Sequence, residues 1–154
     1  MAHSKSMRVL SVTPTITGGA YTADECIGGL QTINYRHLSG FSGSLMIQSV
    51  IVTDNALQDI EIDCVFFDDD PSNSTFTDNS AFTVADADME KIIGVANITT
   101  YKDFADNSVG QVQNLAIPIG QDDGHQFWVA CLVRGAPTYV ATNDLTFRFG
   151  VLVT

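Results

Sequence analysis

Apolar and polar residues alternate with a period of two through much of the chain. In QDIEIDCVFFD, Ile60, Ile62, Cys64 and Phe66 fall on one side, with Asp59, Glu61 and Asp63 on the other. In HQFWVACLVR, Phe127, Val129, Cys131 and Val133 share a side; in LTFRFGVLV, Leu145, Phe147, Phe149, Val151 and Val153 do. Successive side chains of an extended chain point to opposite faces, so each segment predicts a strand with one face on a core. SLMIQSVIVTD is apolar on both sides, the pattern of a central strand or of one that faces an oligomer partner. MRVLSVT, CIGGLQTI, IIGVANITT and VGQVQNLAIPI are weaker strand candidates.

Turn signals separate these runs: TGG at 17–19, SGFSG at 39–43, DNS at 106–108, QDDG at 121–124, RGAP at 134–137 and TND at 142–144. One segment breaks the alternation. TVADADMEKII carries a Thr83-x-x-Asp86 capping box, acidic residues early and Lys91 late, which predicts a helix of one or two turns. The expected fold is all-β: a jelly-roll-like antiparallel β-sandwich of about eight strands with one short helix. Residues 1–7 are expected to form a flexible N-terminal arm. Residues 8–154 are expected to form a single β-sandwich domain, a length that supports one core.

Charge changes this picture. Asp54 to Asp106 holds 13 acidic and 2 basic residues, and so the whole net charge of -11; the remainder balances. The seven basic residues, Lys5, Arg8, Arg36, Lys91, Lys102, Arg134 and Arg148, are scattered. Phosphate binding needs clustered cations, so no direct nucleic-acid contact is expected. No apolar run approaches the roughly 18 residues of a membrane helix. The start, MAHSKSMRVL, lacks the apolar centre of a secretory signal, which makes the cytoplasm the expected site of synthesis. Cys26, Cys64 and Cys131 are odd in number and lack CxxC spacing; they read as buried free thiols, not as a disulfide framework or zinc site.

Candidate chemistry is sparse. FFDDDPSNSTFTDNS places Asp68, Asp69 and Asp70 in a row. Calcium needs converging oxygens, and adjacent residues of an extended strand point to opposite sides. The row reads as a strand end and loop, with Phe66 anchoring the core. Asp86, Asp88 and Glu90 do not share a helix face and read as a solvated one; Asp122 and Asp123 precede Gly124 in a turn. His3, His37 and His125 lack a nucleophile-elbow context, and SGFSGS at 39–44 reads as a loop before a strand. Two carboxylates could meet in the fold as a glycosidase pair, but nothing in the sequence selects one. The glycines of GGAYTADECIGGL form no phosphate loop. Trp128 sits either on an outer sheet face, as a ligand contact, or beneath a loop. No catalytic, metal or cofactor-binding residue is assigned, and no enzyme activity is expected.

Four stretches carry a resemblance: VTPTITGGAYTADECIGGL, IQSVIVTDNALQDIEIDCVFFDDDPSNSTFTDNSAF, VADADMEKIIGV and LVRGAPTYVATNDLTFRFGVLV. Through them the chain resembles small virion structural proteins of tailed bacteriophages. These are turn-and-strand patterns, which identify a scaffold and no active site. The resemblance implies a capsid decoration or cement protein on the capsid exterior, bound to the major capsid protein as a dimer or trimer. SLMIQSVIV is the candidate oligomer contact. The alternatives are a carbohydrate- or calcium-binding sandwich, using the acidic loop and Trp128, and a tail or baseplate component.

Overall fold

The computed structural model describes residues 6–38, 44–120 and 125–153. Among them ten strands form: β1 Ser6–Val12, β2 Cys26–Asn34, β3 Leu45–Asp54, β4 Ile62–Phe67, β5 Ile92–Ile98, β6 Thr100–Asp103, β7 Ser108–Val112, β8 Ile117–Ile119, β9 Gln126–Val133 and β10 Leu145–Val153. The larger sheet runs β1-β10-β3-β7-β6, with β8 also pairing with β3; the smaller runs β2-β9-β4-β5. All pairings are antiparallel, and they nest: β1 with β10, β2 with β9, β3 with β7 and β8, β4 with β5. A long hairpin rolled into two facing sheets gives this nesting, and that is the jelly roll. The expected all-β sandwich is therefore the fold. Two short strands, β6 and β8, exceed the expected eight.

The alternating residues meet between the sheets. Phe66 of β4, Phe127 of β9 and Phe149 of β10 form the centre, with ring centroids 5.7 Å apart for Phe66–Phe149 and 5.9 Å for Phe127–Phe149, both edge to face. Each such contact adds about 1 kcal/mol beyond area burial. Leu45, Ile47, Val50 and Val52 of β3 fill the same core, and β3 lies in the middle of its sheet.

Four expectations need correction. First, β4 begins at Ile62, not near Gln58: Leu57 and Asp59 adopt positive φ in a turn. Asp54 organises it, accepting hydrogen bonds from the backbone N–H groups of Ala56, Gln58 and Asp59. Second, VGQVQNLAIPI is two strands. Asn114 has φ 60°, and Leu115 N–H bonds to Gln48 O, where the pairing of β3 with β10 shifts register. Third, the helix is a 3₁₀ helix, Asp86–Lys91, and Thr83 does not cap it; Ser74 Oγ from across the loop accepts the Ala85 N–H instead. Fourth, Ser6 and Met7, assigned to the arm, open β1 opposite Val153 and Leu152. The rest of that arm with His3, the turns at 39–43 and 121–124, and Asp122 and Asp123 lie outside the described residues.

Candidate interaction surface

The two outer faces of the sandwich differ in kind. On the smaller sheet, Val65, Phe67, Trp128, Ala130 and Leu132 form a second apolar layer. β4 is consequently buried on both faces, where the sequence pattern predicted one. The cover is the segment between β4 and β5. Phe76 and Phe82 lie over this layer, with Phe76 5.7 Å from Phe67 and 5.0 Å from Phe82, centroid to centroid. Trp128 is 7 % exposed under this roof, so its indole is not a free stacking platform.

Two inward-turned carboxylates tie the roof down. Asp78 accepts the Tyr21 hydroxyl (2.7 Å), the Thr17 hydroxyl (2.6 Å) and the Gly28 N–H (2.7 Å). Gly28 has φ +84°, and a Cβ there would stand 2.6 Å from Pro14 Cβ, so the glycine brings the backbone against both Pro14 and Asp78. Asp88 is fully buried, contrary to the solvated face expected of it. It accepts from Ser74 Oγ (2.6 Å) and Asn73 Nδ2 (3.1 Å) and pairs with Lys91 (2.9 Å). Burial pushes its pKa up, but the Ser74 hydrogen bond, Lys91 and Asn73 outweigh that and hold it at about 2. Neither role is visible locally. The sequence shows only that such carboxylates exist: the partners of Asp78 lie 50 to 61 residues away, and the hydrogen-bond donors to Asp88 lie 14 and 15 residues away, brought back by the fold of the loop.

Asp68, Asp69 and Asp70 are exposed. Their segment is pinned by its backbone: Asp68 N–H bonds to Lys91 O, and Lys91 Nζ donates to Asp70 O at 2.6 Å. Among the described residues no three His, Cys, Asp or Glu side chains converge as metal ligands. Asp103 is held above its ordinary value by its neighbour Asp59, with burial adding to this. His37 lines a shallow groove between the edges of β1 and β2, and His125 packs edge-on to Tyr35. Neither lies beside a cysteine: Cys64 and Cys131 are buried within the core and Cys26 beside it.

Among the described residues, no such roof covers the larger sheet. Met7 faces outward beside Leu152, Leu152 beside Met46 and Met46 beside Pro118, an apolar row across four strands. Val9, Gly150 and Ser49 form the next row; Ser11, Arg148, Ile51, Gln111 and Thr100 the one beyond. Met7 is 59 % and Val9 65 % exposed. None of the outward residues on β1, β10, β3, β7 and β6 is acidic, and Arg148 and Lys102 give the face two positive charges. Strands about 4.8 Å apart and outward residues about 6.7 Å apart make the apolar part roughly 300 Å², a size at which exposed patches are often functional. Sequence reasoning singled out SLMIQSVIV, the body of β3, as an oligomer contact. The structure puts one face of β3 in the core and the other at the middle of a patch that β1 and β10 complete. No known protein-family model matches the chain, and no curated protein matches it.

Proposed function

We propose that this chain is a structural virion protein, a capsid decoration protein that stabilises a phage head by bridging capsid subunits. The observation that carries the reading is the polarity of the jelly roll. One side is a pinned, carboxylate-rich roof suited to solvent, and the opposite side is a sheet whose outward residues, among those described, include no carboxylate and suit a protein surface. The phage-like turn-and-strand stretches point the same way. The partner is the major capsid protein, met by the outer face of the larger sheet. A patch of roughly 300 Å² is well below a standard interface of about 800 Å² per partner, so stable attachment comes from many equivalent contacts on a repeating lattice. A homo-oligomer, dimer or trimer, serves the same end by presenting several patches at once.

Localisation in intact particles tests this. Cryo-electron microscopy should place the sandwich on the outer capsid lattice with its larger sheet toward the shell. Density in the tail or baseplate would instead favour the other virion role, and absence from purified particles by mass spectrometry would end the virion reading.

A further inference from the structure

Cys64 and Cys131 are direct cross-strand partners in the ladder of β4 and β9. Both side chains point into the main core, with their Sγ atoms 3.0 Å apart. Directly opposed residues of an antiparallel pair have Cα atoms about 4.5 or 5.5 Å apart, and both spacings fall within the roughly 4.4–6.8 Å that a disulfide spans. From 3.0 Å, the two sulfurs must close by only about 1 Å to reach bonding distance, a movement that side-chain rotation supplies. We propose that Cys64 and Cys131 are a covalent site, forming a cystine that staples β4 to β9 by exchange with a low-molecular-weight disulfide. This inference does not depend on the virion reading.

The reaction is a two-electron exchange. One thiolate attacks the small disulfide, forming a mixed disulfide and expelling one small thiolate. The second cysteine, as thiolate, then attacks the protein sulfur of that bond and expels the other. Two S–H bonds are lost, one S–S bond forms, and the small disulfide is reduced to two thiols. Once the sheets have closed, the pair is out of reach. Burial, with the Cys64 thiol beside it, holds Cys131 protonated well above the ordinary thiol range, and the thiolate is the reactive form. The staple therefore forms while the chain is folding. It would join positions 67 residues apart, a long loop of the kind whose closure most restricts the unfolded chain. Cys26 is the internal control: it lies opposite Leu132 in the β2–β9 ladder, one step from Cys131.

The full chain, unfolded in denaturant and refolded with reduced and oxidised glutathione, tests this. Alkylation, intact mass and peptide mapping should then show one alkylatable thiol, Cys26, and a linked peptide pair holding Cys64 and Cys131. The denaturation midpoint should exceed that of protein refolded under reductant alone. A Cys131→Ala chain should show two alkylatable thiols and the same midpoint from both buffers. Native fluorescence of the single tryptophan identifies the folded fraction in each case. Three alkylatable thiols in that fraction, a bridge to Cys26, or a Cys64–Cys131 bridge confined to misfolded chains would each overturn the proposal.

Discussion

Asp78 and Asp88 belong to the acidic span yet are turned inward, where Asp78 collects hydrogen bonds from Thr17, Tyr21 and Gly28 and Asp88 from Asn73 and Ser74. Asp78→Ala leaves the Tyr21 hydroxyl and Gly28 N–H without their acceptor and should cost about 3 kcal/mol in denaturant unfolding. Asp78→Asn, which keeps one carbonyl acceptor, should cost less. Asp88 makes a pH prediction. Its folded-state pKa, about 2, lies below the ordinary 3.8, so its contribution is present above that ordinary value and is lost as pH falls through the folded one. The melting temperature of wild type should exceed that of Asp88→Asn at about pH 5, and the gap should shrink toward pH 2. A gap constant over that range would show that the carboxylate charge is irrelevant. Asp103 works in the opposite sense, favouring the fold at low pH and losing that contribution as pH rises through its raised value. It is common to both chains, so the difference isolates Asp88.

At the scale of elements, the segment from Asp68 to Lys91 is a roof, and its apolar residues explain why. Without Phe76 and Phe82, the outer side of β4 and β9 would present Phe67 and Trp128 to water. Phe76→Ala should destabilise the fold by about 2 kcal/mol. Because Trp128 is the only tryptophan, the same change should shift native emission to longer wavelength as water reaches the indole. An unchanged spectrum would mean that Phe82 and Val84 suffice as cover. The strands themselves were legible wherever one face met a core: β10 follows its alternation closely, whereas β9, like β4, is buried on both faces. Their neighbours were harder. β4 looked half-buried because Asp63 interrupts its outer side, but Asp63 is sheltered by Arg134 (2.7 Å) and Asn97 (2.6 Å), which come from other elements. Thr83 looked like a helix cap because a local box motif fits there. Ser74, eleven residues before Ala85, took that place once the roof folded back.

For the whole molecule, separation of charge by face is the feature that bears on function. The loop between β4 and β5 exposes Asp68, Asp69 and Asp70 on one side, and the outward face of the opposite sheet offers Met7, Val9 and Leu152 with Arg148 and Lys102 nearby. A Met7→Glu, Val9→Glu chain should fold with its melting temperature nearly unchanged, since both residues are largely exposed. It should bind decoration-free capsids at least tenfold more weakly in a sedimentation assay. Equal occupancy of capsids by variant and wild type would remove this face from the interface. A charge reversal on the roof, such as Asp69→Lys, should leave occupancy unchanged.

By itself the sequence determined that this is an all-β chain with one short helical turn, that its charge sits in one span, and that no local motif for catalysis, metal or nucleotide is present. Those properties depend on residue type and on near neighbours, which alternation and turn chemistry report directly. Only the tertiary structure decided that the acidic loop is a roof, that Trp128 lies beneath it, that Asp88 is internal, and that Cys64 faces Cys131. It also decided that the apolar residues of β1, β3 and β10 form one patch. Each of these rests on which distant segments the rolled hairpin brings together, and sheet register is fixed by packing between strands far apart in the chain.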